Sequence, residues 1–491
     1  MIHKRQRRLQ VALFTILIAG IFSACDFLNV TPKDKVTSKV VYETYDNAVK
    51  ALRGLYDKMM LDAEGFMIVM QTSSLHNFFT SADLMGQDVI IDPTQIQGQG
   101  DDYNYASRTS DQSRTEFAWS YPYKFITVAN DMIAQAPNMQ GKEHEKLAFE
   151  AEARAIRAFH YHLLVQWFQQ TYLIDPEAPA VPLYLTPTAE EQPRATMREV
   201  YTAMEEDLAF AVEHLPEVNR SGDNFVLGRD AARGLLVRIL MEMGRYEEAL
   251  PHAKILATKY PPMSKAEYMK GFADNGISEC IWALCGSPRN FGASFSNLTI
   301  WTQPERRHGR WARKFIFIDS DFYDLFSPTD YRRELIMENT ADYSTTPEKK
   351  YYTNKLNDPI DEAHAPDLIV MRGSEMLLCQ AECEARTGAT AQAQATLTKL
   401  VQARDSEAPA VQATGEELIK RIWIERRKEL FGEGFALHDL KRFRYPLVRK
   451  GNHTIRGEAA TGILYPKDDY HFVLQIPSQE IEVNKLIIQN K

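Results

Sequence analysis

Asp230–Lys259 reads DAARGLLVRILMEM-GR-YEEALPHAKILATK, and these thirty residues decide the fold class. In the first half, Ala231, Ala232 and Gly234 are small enough to let a neighbouring helix approach closely. Gly244 follows where a left-handed residue ends a helix without steric cost. In the second half Tyr246, Ala249 and Ala253 share one face at helical spacing. The stretch predicts two helices, 230–243 and 246–259, joined by the two-residue turn Gly244-Arg245.

Such a pair resembles a tetratricopeptide unit, whose period is about 34 residues. A second pair is expected at Arg372–Arg386, Thr387-Gly388 and Ala391–Ala403. Two looser pairs combine Tyr42–Met60 with Trp119–Gln135, and Leu147–Phe168 with Met197–His214. Within the latter, Phe149, Ala153, Ile156, Phe159, Leu163 and Trp167 recur every three or four residues, with Arg154 and Arg157 between them, as an amphipathic helix requires. Glu416–Leu430 is a further helix. The fold class is therefore mostly α: a tetratricopeptide-like helical repeat scaffold over about 42–60, 119–260 and 372–443, with large loop insertions and a few short strands. The insertions, about 71–115 and 261–367, and the tail from Tyr445 are rich in Gly, Pro, Asn, Asp and aromatic residues. Long segments of this kind carry function when a rigid scaffold holds them. Short strands are expected at Cys280–Leu284 and Phe472–Ile476.

The N-terminus reads as an export signal. Lys4, Arg5, Arg7 and Arg8 precede an uncharged apolar run, Val11–Phe22, that is too short to span a bilayer. Phe22-Ser23-Ala24-Cys25 resembles a lipobox, so residues 1–24 are expected to be removed and Cys25 to become an acylated anchor, leaving 25–491 as a single domain. An ordinary signal peptide with a chance cysteine is the alternative. Removal takes away four basic and no acidic residues, moving the net charge from −9 to −13. An acidic chain argues against nucleic acid as a partner. Cys280, Cys285, Cys379 and Cys383 remain; Cys379 and Cys383 lack supporting ligands for zinc, and they read as buried thiols, with a disulfide left open.

Two motifs invite a catalytic reading. Glu375 and Glu382 lie on one helix face, and paired carboxylates serve glycosidases. The arginines of the same motifs, Arg372, Arg404, Arg426 and Arg427, favour ion pairs instead, and a carboxylate so paired is a poor proton donor. His160 and His162 are two residues apart and point to different sides of a helix, which does not suit a shared metal. The sequence holds no nucleophile elbow, P-loop or dinucleotide glycine motif. No catalytic residue, metal or cofactor is expected.

The order of several segments resembles the SusD/RagB family of Bacteroidota outer-membrane lipoproteins. These are DFLNVTPKD (26–34), Trp119/Tyr123/Ile126/Asn130, AEARAIRAFHYHLLV (151–165), GRDAARGLL (228–236), RGSEMLLCQAE (372–382), ERRKELFGEG (425–434) with DLKR (439–442), and LQIPSQEI (474–481). The chain departs from the pattern at Gly373-Ser374 and Leu437-His438. The resemblance implies a cell-surface, lipid-anchored protein that binds glycan or another oligomeric nutrient. It implies delivery to a SusC-like TonB-dependent transporter as partner, and no enzymatic activity. The alternatives are an all-α glycan hydrolase or lyase, a peptide-binding RagB-like member, or a helical adaptor.

For a glycan, rings supply stacking surfaces while Asn, Asp, Gln and Arg bond hydroxyls in fixed directions. Two stretches concentrate such residues. One holds Asn77, Asp83, Tyr103 and Tyr105; the other holds Trp301, Arg306 and Trp311. The expected site is a shallow exposed face built from both.

Overall fold

The computed structural model describes residues 41–60, 74–91, 99–219, 224–272, 274–286, 316–338, 351–356, 366–450, 453 and 463–490. The helices form where their caps and apolar stripes agree. α1 spans Tyr45–Met60, α2 Leu75–Leu84, α3 Ser113–Gln135 and α4 Glu143–Phe168. α5, Met197–His214, opens on a reciprocal cap: Glu199 N–H donates to Thr196 Oγ1 at 3.1 Å, and Thr196 N–H donates to the Glu199 carboxylate at 2.7 Å. α6 is Arg229–Glu242 and α7 Tyr246–Lys259.

The turn between α6 and α7 is the one its sequence predicts. Gly244 has φ +75°. Arg245 N–H donates to Leu240 O at 2.9 Å and Gly244 N–H to Met241 O at 3.1 Å, so two carbonyls at the helix end are satisfied. The same pattern closes α8, Gly373–Arg386, where Ala389 N–H reaches Glu384 O at 2.8 Å. α9, Thr390–Arg404, follows, then α10, Gly415–Leu430, and α11, Ala436–Phe443. Each helix from α3 to α9 packs on the next, and α8 also packs on α10. The result is the expected tetratricopeptide-like helical scaffold around one large apolar core.

Three expectations need correction. α3 pairs with α4 rather than with α1, which packs on α4 instead. Residues 71–115, read as loop, contain α2 and the start of α3. The ten residues of α2 are almost all buried, although five of them, His76, Asn77, Thr80, Ser81 and Asp83, are polar. Phe472–Ile476 is not a strand. Leu474 N–H bonds Trp167 O at 2.9 Å and Gln475 N–H bonds Arg108 O at 2.8 Å, two separate partners that form no ladder.

The strands are short. β1 is Val89–Ile91, β2 Pro179–Pro182, β3 Arg194–Thr196, β4 Cys280–Leu284 and β5 Ile316–Ile318. β6 is Ile336–Glu338, β7 Tyr351–Thr353, β8 Leu368–Arg372, β9 Leu447–Arg449 and β10 Ile463–Tyr465. β1, β5, β7 and β6 form an antiparallel sheet in that order; β4 pairs with β8, β9 with β10, and β2 with β3. The four-stranded sheet covers a second, smaller apolar core that includes Leu84, Tyr103, Tyr268, Phe322 and Phe431. The described part of the 261–367 insertion is thus a folded layer laid over the scaffold.

Candidate functional site

Four of the expected ligand residues are described, and all four are buried. Asn77 sits in the first turn of α2, where its Oδ1 accepts Ser74 N–H at 3.0 Å. Asp83, near the other end of that helix, accepts Gly434 N–H at 2.9 Å and Ala436 N–H at 3.2 Å, tying α2 to the turn between α10 and α11. Burial raises its pKa to about 7 against the pull of those two N–H groups. The Tyr103 hydroxyl is 2.7 Å from His453 Nδ1, and the two rings stack. The Arg449 guanidinium lies 4.1 Å from the Tyr103 ring centroid. Tyr105 donates to the Met85 carbonyl and meets Tyr465 edge-on at 5.1 Å.

These four side chains fasten the loop walls and present no exposed platform. Tyr103 is 2 % exposed, Tyr105 4 %, Asn77 1 % and Asp83 3 %. Their hydrogen-bonding capacity is directed inward, which departs from the exposed face expected of them. Trp301, Arg306 and Trp311, and the anchor Cys25, lie outside the described residues.

The tail supplies residues that sequence reading passed over. Arg449 donates to Gly86 O at 2.7 Å and Leu84 O at 2.7 Å, pinning the segment after α2. Tyr465 and His471 stack at 4.1 Å, and the half-exposed Tyr470 ring lies 4.8 Å from the Arg108 guanidinium. The signal was the aromatic density of the tail, Tyr465 and then Tyr470-His471-Phe472.

Glu375 and Glu382 are ion-paired. Arg238 grips Glu375 through two bonds of 2.7 and 2.8 Å. Glu382 takes bonds from Arg442 at 2.6 and 2.8 Å and from Arg386 at 2.8 Å. Burial works to raise the Glu382 pKa, but Arg442 and Arg386 hold it down at about 2. An acid held that low keeps no proton to donate at neutral pH.

Behind the folded insertion lies a larger network. Glu429 of α10 receives Arg372 at 2.8 Å, Arg404 at 2.9 Å and Arg332 at 2.8 Å. Glu279 bridges Arg372 at 3.0 Å and Arg404 at 2.9 Å. Lys355 and Arg372 share Glu433, at 2.6 and 2.7 Å. Arg332 and Lys428 share Asp330, at 2.7 and 2.9 Å, and Glu425 completes the set beside them. All ten side chains are buried. Five cations face five carboxylates, so the cluster is neutral as a whole. It joins the insertion (Glu279, Asp330, Arg332 and Lys355) to α9 and α10.

His160 and His162 point apart as expected. His160 Nδ1 lies 2.8 Å from Ile156 O, and His162 Nε2 lies 2.9 Å from Glu242. Among the described residues no group of His, Cys, Asp and Glu is arranged to hold a metal. Cys280, Cys379 and Cys383 are buried free thiols, and burial pushes Cys379 up to about 12. No described helix is long and apolar enough to cross a membrane.

Comparison with known proteins agrees with this architecture. The model of the SusD family matches residues 329–491, and a second model, described as starch-binding associating with outer membrane, matches residues 26–241. The SusD-like protein P25 of Formosa agariphila is 22 % identical, with 98 % of both chains covered. A SusD-like carbohydrate binding protein from Bacteroides vulgatus superposes with a TM-score of 0.81 at 23 % identity, covering 91 % of this chain and 98 % of its own. A SusD superfamily protein from Bacteroides thetaiotaomicron gives 0.78 at 24 %, covering 91 % and 100 %. A laminarin binding SusD-like protein gives 0.69 at 21 %, covering 91 % and 99 %. Helical stack, folded insertion and two family models over separate parts of the chain lead to one assignment: this is a SusD-like protein.

Proposed function

We propose that this chain is a surface lipoprotein that binds oligo- or polysaccharide and passes it to a SusC-like TonB-dependent transporter, with no catalysis of its own. The observation that carries the non-enzymatic part is the state of the paired acids. Glu375 and Glu382 are each clamped by arginine, and neither is free to act as the acid or nucleophile of a glycosidase. The names of the relatives support carbohydrate as the ligand: one is called laminarin binding and another, from Bacteroides fluxus, surface glycan-binding protein A. The description of the family model matching residues 26–241 supports an outer-membrane location.

In this reading residues 1–24 are removed, Cys25 is acylated, and 25–491 is one domain. Trp301, Trp311 and Arg306 contact the ligand, while Asn77, Asp83, Tyr103 and Tyr105 brace the folded segments around α2 and the tail. The experiment is a panel of glycans titrated against purified residues 26–491, with reducing ends measured in the same samples. Saturable binding without product supports the proposal. Released reducing ends, or saturable binding of peptides and of no glycan, overturn it.

A further inference from the structure

A space with mixed walls lies inside the scaffold, apolar along Phe78, Phe159, Leu163 and Met241 and polar elsewhere. A cavity of about 60 Å³ sits between α2, α4, α6, α8, α10 and α11, and His162, Gln166, Glu242, Glu375, His438 and Arg442 contribute to its lining. A second space of about 20 Å³ shares Gln166, Glu242, His438 and Arg442 with the first and adds Thr171 and Lys441. The shared walls make the two spaces neighbours. The smaller one runs out between the half-buried Gln169 and Gln170.

Two residues of these walls carry a buried polar atom without a hydrogen-bond partner in the protein: His438 Nδ1 and Thr171 Oγ1. His438 and Thr171 line the spaces, and Trp167 meets the His438 ring edge-on with centroids 5.3 Å apart. An orphaned buried polar group costs about 1–3 kcal/mol. Two on the walls of one space call for a shared partner. Most polar groups on these walls already have partners. Glu242 holds His162 at 2.9 Å and the Tyr201 hydroxyl at 2.6 Å, Arg442 is on Glu382, and Lys441 donates to Gln166 O and Gln169 O at 2.6 and 2.7 Å. A space of about 10–15 Å³ is enough for one water, and each water takes about 30 Å³ of liquid, so the volumes suit roughly two molecules in the larger part and one in the smaller.

We propose that the two spaces form one built-in hydration site, a string of ordered waters running from Thr171 past His438 to Glu242 and Gln166. These waters are members of the scaffold. They supply the bonds that the protein does not make between α4, α6 and α11, and they give solvent protons a route to the buried Glu242 and Lys441. A dry cavity lined only by apolar groups has no such role.

Two measurements test this on the full mature chain. A crystal structure at about 1.6 Å or better is expected to show ordered density within about 2.7–3.2 Å of His438 Nδ1. Thr171→Val keeps the shape of the side chain and deletes the hydroxyl. If water bonds that hydroxyl, the variant melts about 1–3 °C lower. If the site is dry, deletion removes an unsatisfied group, and the melting temperature rises or stays put. Absent density, or a melting temperature that does not fall, overturns the proposal.

Discussion

At Gly244 the backbone is left-handed, φ +75°, and a Cβ built there would meet Leu173 Cδ2 at 3.0 Å. Gly244→Val therefore meets both backbone strain and a neighbour. It is expected to cost about 1–2 kcal/mol, read as a lower denaturant midpoint with an unchanged slope. An unaltered midpoint would mean that the α6–α7 turn is drawn wrongly. Gly373 is required for a different reason: its Cβ would lie 1.8 Å from the Tyr260 carbonyl oxygen, so the departure from the family pattern there suits this packing. Tyr103 shows the limit of reading single residues. An aromatic among polar neighbours looks the same in sequence whether it faces solvent or plugs a small core, because composition does not encode direction. The structure places it in the core, so Tyr103→Ala is expected to destabilise by about 3–5 kcal/mol, a change that thermal unfolding detects directly.

Among the elements, α5 and α7 were read to the residue because a reciprocal cap opens one and a glycine turn precedes the other. α2 is hard to read because it is only ten residues long and its polar face, His76, Asn77, Thr80, Ser81 and Asp83, is buried by tertiary packing and so resembles a polar loop in sequence. The ion network was half legible. Its arginines and glutamates stand in the motifs, but the partners Glu279, Asp330, Arg332 and Lys355 come from the insertion and are joined to them only by the fold. Removing one member leaves a buried charge uncompensated, so Arg372→Met is expected to cost about 3–5 kcal/mol, whereas Arg198→Met, which breaks the exposed pair with Glu177, is expected to leave the unfolding midpoint unchanged. Equilibrium unfolding of both variants checks the contrast.

Acid tests the same level. Glu382 and Glu242 are each held at about 2, below the ordinary 4.5, because arginine or histidine partners outweigh their burial. A depressed carboxylate contributes stability that is complete above its unfolded pKa and lost as pH falls through the folded one. The chain is therefore expected to lose stability between about pH 4.5 and 2. Asp83, raised by burial, acts in the opposite sense, since its stabilising effect is present at low pH and declines as pH climbs from 3.8 towards about 7. Melting temperature against pH for wild type and Glu382→Gln separates the contributions: the variant should flatten the acid limb.

For the whole molecule, the repeat architecture was legible because helix pairs advertise themselves locally, and the family because its segments recur in order along the chain. The ligand face was not, because the residues proposed to make contact sit in stretches without periodicity. The anchor belongs to this scale as well. Cys25→Ala, in cells lacking the transporter, should shift the protein out of the membrane fraction, as the acyl chains are its proposed hold on lipid; persistence in that fraction counts against the assignment. The central claim is that a rigid helical scaffold carries a glycan site on its insertions. It is tested most directly by titrating the glycan that emerges from the panel into wild type and Trp301→Ala, with a melting curve for each. The account predicts an affinity loss of about 1–3 kcal/mol, by analogy with base–aromatic stacking, and an unchanged melting temperature. A lower melting temperature with affinity retained would contradict it, because Trp301 would then be part of a core and not of a binding face.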